Sequence, residues 1–381
     1  MSARGLLLWE SNEQAVTRIA VAGDFLPAGA LKLTGSGAWS EAAGALAPCF
    51  EDVEATFLNL ECPIDADGLT PRKLAGLGAI VSASAAALDY LAPIRVAAVG
   101  FANNHAYDFA GAGVERTQRA CNRRNLPLIG AGHDTNTPPD VRVWQGPGAI
   151  KVGFWAAAKA CHDLADHTHQ GVEPATLRRA RQALGRIRSE GASFSVALLH
   201  AGILRTNRPD PSDAKLMDAI AGAGFDLVVA SHSHRISGHK RVTGDRGSPA
   251  FCFYGLGSLV SGYTASPLER EGLIVIAGLN SLGKLASLEV RPVSLAASGF
   301  GEAPSEEAAR AILKRFEQLS AEITDGSSKR RFYQEISQSL VRLYLRDVSA
   351  AFRESGMRGL AVKAGRLRLR HLRRLAHGLL P

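Results

Sequence analysis

At 381 residues, 46% apolar and 21% charged, the chain has the composition of a globular protein with one large domain and an appendage, or with two domains. No apolar stretch reaches the roughly 20 residues of a bilayer span, and the patch Leu6–Trp9 is too short for a secretory signal, which predicts a cytoplasmic protein. The net charge of +8 lies entirely beyond residue 340, where ten Arg or Lys accompany two acids, so the body is neutral.

Strand-like apolar runs bounded by polar or glycine residues recur along the first part of the chain. The run 18–22 leads into Gly23-Asp24, and 55–60 leads into Glu61. A helix over 84–92 precedes the run 95–101, which ends at Asn103-Asn104-His105. The helix 111–124 is followed by strands 126–129 and 150–155. Next comes a loop holding Cys161-His162-Asp163, His167 and His169, and then the helix 174–190. The strand 194–199 delivers His200, with Arg205, Arg208 and Asp210 close behind. A helix over 212–223 opens with Pro211 and acidic Asp213. The strand 225–230 then runs into His232-Ser233-His234.

After Ser233 the pattern shifts to shorter strands at 239–243, 250–254, 271–278 and 284–291, with turns between them. Alternating strands and helices followed by a strand-rich stretch predict an α/β sandwich of two sheets flanked by helices. Composition changes at Ser294–Pro304, which divides the chain into a domain over 1–295 and a helical, basic extension over 296–381. Three helices are expected there: Ser305–Leu319, Lys329–Phe352 and Met357–Leu379.

Five strand ends thus carry Asp, Glu, Asn or His, and in an open α/β sheet ligands gather at the carboxyl ends of strands. His232 and His234, two apart after a strand, project to the same side if the strand persists. Oxygen and imidazole ligands of this kind suit a mid-row divalent metal. A carboxylate shared by two metals holds them roughly 3.5–4 Å apart. His105 could protonate a leaving group or hold a substrate oxyanion. Asp108 either orients His105 or caps the helix that begins near Gly111.

In this order, Gly23-Asp24, Asn-Leu-Glu-Cys-Pro (59–63), Asn103-Asn104-His105 with Asp108, His200-Ala201-Gly202 and His232-Ser233-His234 resemble the CapA, or poly-γ-glutamate capsule-synthesis, family. That family belongs to the calcineurin-like metallophosphoesterase superfamily. The resemblance covers about residues 18–290 and implies a four-layer αββα sandwich with two divalent metals, Mn, Fe or Zn. It implies that Asp24 and His234 bind the first metal and Glu61 bridges. Asn104, His200 and His232 would bind the second, with His105 the general acid or oxyanion contact. The Asp-x-His of classical metallophosphoesterases is Asp24-Phe25-Leu26 here, which leaves the first metal a ligand short. The family's His-Trp-Gly and late Gly-Asn-Phe are His200-Ala201-Gly202 and Gly257-Ser258-Leu259, so the metal residues are kept while substrate-facing ones have diverged.

The resemblance implies a metal-dependent hydrolase of capsule or poly-γ-glutamate-like polymer synthesis. Two other readings stand beside it: a peptide-modifying enzyme, an epimerase or amide hydrolase on the same fold, and a non-catalytic capsule-assembly or anionic-polymer-binding factor. The substrate is expected to be an anionic polymer, a peptide or a phosphoester, with His162, His167, Arg205 and Arg208 as candidate contacts. The last helix sets Lys363, Arg366, Arg370, Arg373 and Arg374 on one face, suited to an anionic membrane at the inner face. The scattered cysteines suggest neither a disulfide framework nor a thiolate zinc site. No P-loop is present, and the 6% of aromatics form no stripe for stacking bases, so no nucleic acid is expected.

Overall fold

The structure, a computed structural model, describes residues 5–338 other than 33, 73–78, 160, 246 and 265. The predicted helix Met357–Leu379, most of Lys329–Phe352 and the basic tail lie outside the described residues.

Two large sheets form the centre. In spatial order the first contains Leu6–Glu10, Leu285–Leu295, Glu271–Leu279, Thr17–Leu26, Ala55–Leu60, Val96–Gly100 and Leu128–Ile129. The last four are mutually parallel, and Ser258–Ser261 pairs parallel with the end of Thr17–Leu26. The second contains His239–Thr243, Pro249–Phe253, Leu227–Ser231, Phe194–His200, Lys151–Ala158 and Arg142–Gln145, with its four inner strands parallel and both edges antiparallel.

Consecutive residues of one strand show how the layers stack, because strand side chains alternate between faces. Phe154 packs on Phe57 of the first sheet, with ring centroids 5.0 Å apart. Trp155 faces the other way, onto Phe225, in a cluster with Leu184 and Ile187 of the helix Leu177–Ser189 and Met217 and Ile220 of the helix Pro211–Gly222. The far side of the first sheet is covered by the helix Ser36–Leu46 and the 3-10 helix Ala85–Ile94, where Trp39 and Tyr90 close on Phe25. The result is a four-layer αββα sandwich.

Most predicted runs match within a few residues, and the departures have physical causes. The segment expected as a helix over 84–92 is 3-10, consistent with Pro93 near its end. The helix Ser36–Leu46 has Gly and Ser among its alanines, which mask its periodicity. The helix expected to end at Leu319 continues to Thr324. It packs across both sheets, on strands Leu285–Leu295 and His239–Thr243, with Phe316 stacked on Phe253 and on the ring of His239. Residues 328–338 are again helical.

Candidate metal centre

The parallel strands end at a common rim, and their register brings the polar residues there side by side. Asp24 pairs with Asn59 and with Ser258 across neighbouring strands, and His200 pairs with Ser231. Gly23 permits the approach of the Ser258 strand: a Cβ on it would lie 2.1 Å from the Gly257 carbonyl oxygen.

Asp24 is fully buried. Its Oδ1 accepts from Asn59 Nδ2 at 2.7 Å and its Oδ2 from the His232 backbone N–H at 2.9 Å, with His234 Nδ1 3.4 Å away. Burial works to raise its pKa, but the hydrogen bond and charge of His234, with the His232 amide, prevail and hold it well below the carboxylate range. Glu61 shows the opposite balance: burial, then the Asp24 charge, push its pKa well up. Its Oε1 lies 3.4 Å from His200 Nε2 and its Oε2 3.7 Å from His234 Nδ1.

His200 ends its strand fully buried, with Nε2 2.6 Å from Asn104 Oδ1 and Nδ1 3.2 Å from Ser231 Oγ. Its ring centroid is 4.5 Å from that of His232. Burial first, then neighbouring histidine charge, lowers both pKa values, that of His232 to about 4. Both rings are therefore neutral near pH 7, the form that ligates. His234 Nδ1 also lies 3.0 Å from Ser258 Oγ.

These groups fall into two sets. Glu61, His200 and His232 each offer an atom within 4.8 Å of the others, and so do Asp24, Glu61 and His234. Glu61 belongs to both. The chemistry of this donor set fits a pair of divalent ions. Glu61 Oε2 and His232 Nδ1 are buried and have no hydrogen-bond partner among the described residues. A buried polar atom left unpaired is costly, and a cation between the two sets would satisfy both. The backbone is shaped for the same end: His232 and His234 adopt φ of 104° and 55°, at a cost on the order of 1–3 kcal/mol each for a residue bearing a Cβ.

His105 stands beside the cage, with Nδ1 2.9 Å from Asp108 Oδ2. The two roles open to Asp108 are resolved by position. The helix Ala110–Asn122 starts after Phe109 without a side-chain cap, and the Asp108 carboxylate serves His105 and the Val81 N–H instead.

The predicted substrate contacts are placed differently. Arg208 is committed to Glu322 through a two-pronged pair and to Glu335, so its charge is already balanced. Arg205 Nε lies 3.0 Å from Glu269. His167 bonds with Thr135 and Asn136 on the exposed loop, and His162 is also exposed. Arg72 joins the rim unforeseen: its N–H donates to the Asp108 carbonyl at 2.8 Å and its guanidinium pairs with Asp163. Asn103, named in the sequence only as part of the Asn103-Asn104-His105 run, ties two strands together, since its Nδ2 donates to Asn59 Oδ1 and to the Leu60 carbonyl. The doubled asparagine was its only signal in the sequence.

Comparison with known proteins identifies relatives of this chain. The family described as "Bacterial capsule synthesis protein PGA_cap" matches residues 18–263. The capsule biosynthesis protein CapA of Bacillus anthracis is 26% identical over 204 residues, covering 52% of this chain and 47% of that protein. The PGA biosynthesis protein CapA of Bacillus subtilis (strain 168) is 25% identical over 199 residues, 51% of this chain and 50% of its own length. The chain thus spans about half the length of these relatives. Among solved structures, it is similar to the calcineurin-like phosphoesterase YfkN from Bacillus subtilis, with 13% identity, a TM-score of 0.44 and coverage of 81% and 99%. It is also similar to a 5'-nucleotidase precursor from Thermus thermophilus, with 15% identity, a TM-score of 0.45 and coverage of 79% and 58%.

Proposed function

Since the chain belongs to the bacterial capsule synthesis protein family, we propose that it is a metal-dependent hydrolase-type enzyme of capsule or poly-γ-glutamate-like polymer biosynthesis. One observation carries this reading: two ligand sets share Glu61, and each holds a buried acceptor that lacks a hydrogen bond.

Asp24, Glu61 and His234 would hold one ion, and Glu61, His200, His232 and Asn104 the other. When bound, the ions supply Lewis acidity and acidify water toward neutral pH. The chain's own groups supply the remainder. Asn59 and the His232 amide fix both Asp24 oxygens, and Ser258 orients His234. Asp108 holds Nδ1 of His105, which leaves Nε2 to a substrate oxygen, to stabilise its charge or to hand a proton to the leaving group.

The proposed substrate is an anionic polymer or phosphoester. The proposed location is the cytoplasm, with the basic tail against an anionic membrane face; among the described residues no helix is long and apolar enough to cross a membrane. The test is elemental analysis of the purified protein followed by turnover of bis(p-nitrophenyl) phosphate with added Mn²⁺. About two ions per chain and metal-dependent turnover are expected. A protein that takes up no divalent metal and turns over no ester overturns the reading.

A further inference from the structure

The loop after His200 and the loop carrying His232 and His234 are tied to each other and then to the helices beyond residue 305. The Arg205 N–H donates to the Ser233 carbonyl at 2.8 Å, and Asn207 Nδ2 donates to the Ile236 carbonyl at 2.9 Å. Arg235, next after His234, directs Nη1 to Asn207 Oδ1 at 3.4 Å. Glu335, from the helical stretch 328–338, meets three residues of this tie. Its Oε1 accepts from the Asn207 N–H at 3.1 Å and lies 3.7 Å from Arg235 Nη1, while its Oε2 accepts from Arg208 at 3.2 Å. The carboxylate is mostly buried, at 17% side-chain exposure, so these contacts are shielded from bulk water.

We propose that Glu335 is a positioning residue for the metal centre, setting the angle at which the His232-Ser233-His234 loop offers its nitrogens. The inference rests on the metal-centre reading above. Two independent observations support it. His232 and His234 hold left-handed backbone angles, which persist only where surrounding structure over-determines them. The residues supplying that restraint, Arg205, Asn207 and Arg235, are held by two carboxylates: Glu335, 101 residues beyond His234, meets Asn207 and Arg235, and Glu269 meets Arg205 and Arg235. Groups that orient ligands without touching the ion commonly change metal affinity by 10–100-fold when removed.

The experiment uses the full chain and compares the parent with Glu335→Gln, Glu335→Asp and, as a control on the same helix, Arg330→Ala. Co²⁺ binding isotherms, the visible Co²⁺ spectrum and melting temperature are measured for each. Glu335→Gln should weaken at least one class of bound ion by about tenfold and alter the spectrum. Glu335→Asp, with the charge on a shorter arm, should recover part of the loss, and Arg330→Ala should match the parent. If Glu335→Gln does not fold, the Glu335→Asp isotherm decides, since a folded variant with parental affinity and spectrum overturns the proposal. A lower melting temperature with unchanged metal binding also overturns it, because it assigns Glu335 a purely structural role. A parent that binds no divalent ion overturns the metal-centre reading and this inference with it. A parent that binds ions while the Glu335 variants bind identically overturns this inference alone.

Discussion

The Asp108 carboxylate oxygen that lies 2.9 Å from His105 Nδ1 also accepts the Val81 N–H at 2.8 Å. One atom therefore orients the imidazole and anchors the segment passing over it. Replacing His105 with Ala should lower kcat by about 10²–10⁴-fold while leaving metal content at the parental value. Asp108→Asn should cost less, because the ring remains and only its orientation is loosened. Steady-state kinetics paired with elemental analysis checks both. Loss of metal in either variant would place these residues in the cage.

Sharing of Glu61 makes the two ligand sets unequal to mutation. Glu61→Ala should reduce bound metal toward zero, whereas His234→Ala should leave about one ion per chain. The set of Asp24, Glu61 and His234 lacks the additional oxygen that Asn104 gives the other. A mild chelator should therefore empty it first, in a titration with two phases. Two phases of equal affinity, or a Glu61 variant that retains an ion, would contradict this.

Binding of ions to the folded chain alone should raise stability through mass action, by about 2.7 kcal/mol for each ion present at a hundredfold excess over its Kd. Chelation should lower the melting temperature of the parent and leave that of Glu61→Ala nearly unchanged. Differential scanning fluorimetry with and without chelator measures the difference.

His239 gives a pH dependence away from the cage. Its ring packs against both Phe253 and Phe316, and burial lowers its pKa to about 4. Between that value and the ordinary 6.5, the unfolded chain binds a proton that the folded chain does not. Stability contributed here is full above pH 6.5 and falls as pH drops toward 4, by up to about 1.4 kcal/mol per pH unit. His239→Phe should flatten that part of the stability profile, read by urea unfolding from pH 7 to 4.5. A profile as steep as the parent's would refute it.

Gly23→Ala should disturb the centre from the backbone side. The added Cβ meets the Gly257 carbonyl oxygen, the acceptor of the Asp24 N–H. Overpacking of this kind costs about 1–3 kcal/mol and should displace Asp24, so both melting temperature and metal content should fall.

Strands such as Ala55–Leu60 were legible because a buried parallel strand is a continuous apolar run, and their polar ends pointed to the rim. Local sequence could not show which distant strands would meet. Ser258 reads as a departure from the family pattern, yet its strand pairs with Asp24 and its hydroxyl reaches His234. Asn59 could be seen beside Glu61, but its bond to Asp24 depends on strand register. Arg208 follows His200 closely enough to suggest an anion contact. Its carboxylate partners, Glu322 and Glu335, are more than 110 residues away. Arrangements of that range are set by tertiary packing, to which hydrophobic periodicity is blind.

The bond from the His232 amide to Asp24 spans 208 residues of chain, and that span bears on synthesis. Asp24 and Glu61 leave the ribosome long before His200 and His232 exist, and closing so large a loop is slow. The half-made chain carries two carboxylates destined for a dry interior, without the imidazoles that will surround them. Capture of metal by the whole ligand set would therefore follow translation past His234. A product terminated before His200 would lack the imidazoles of the cage even with the strands Thr17–Leu26, Ala55–Leu60 and Val96–Gly100 made.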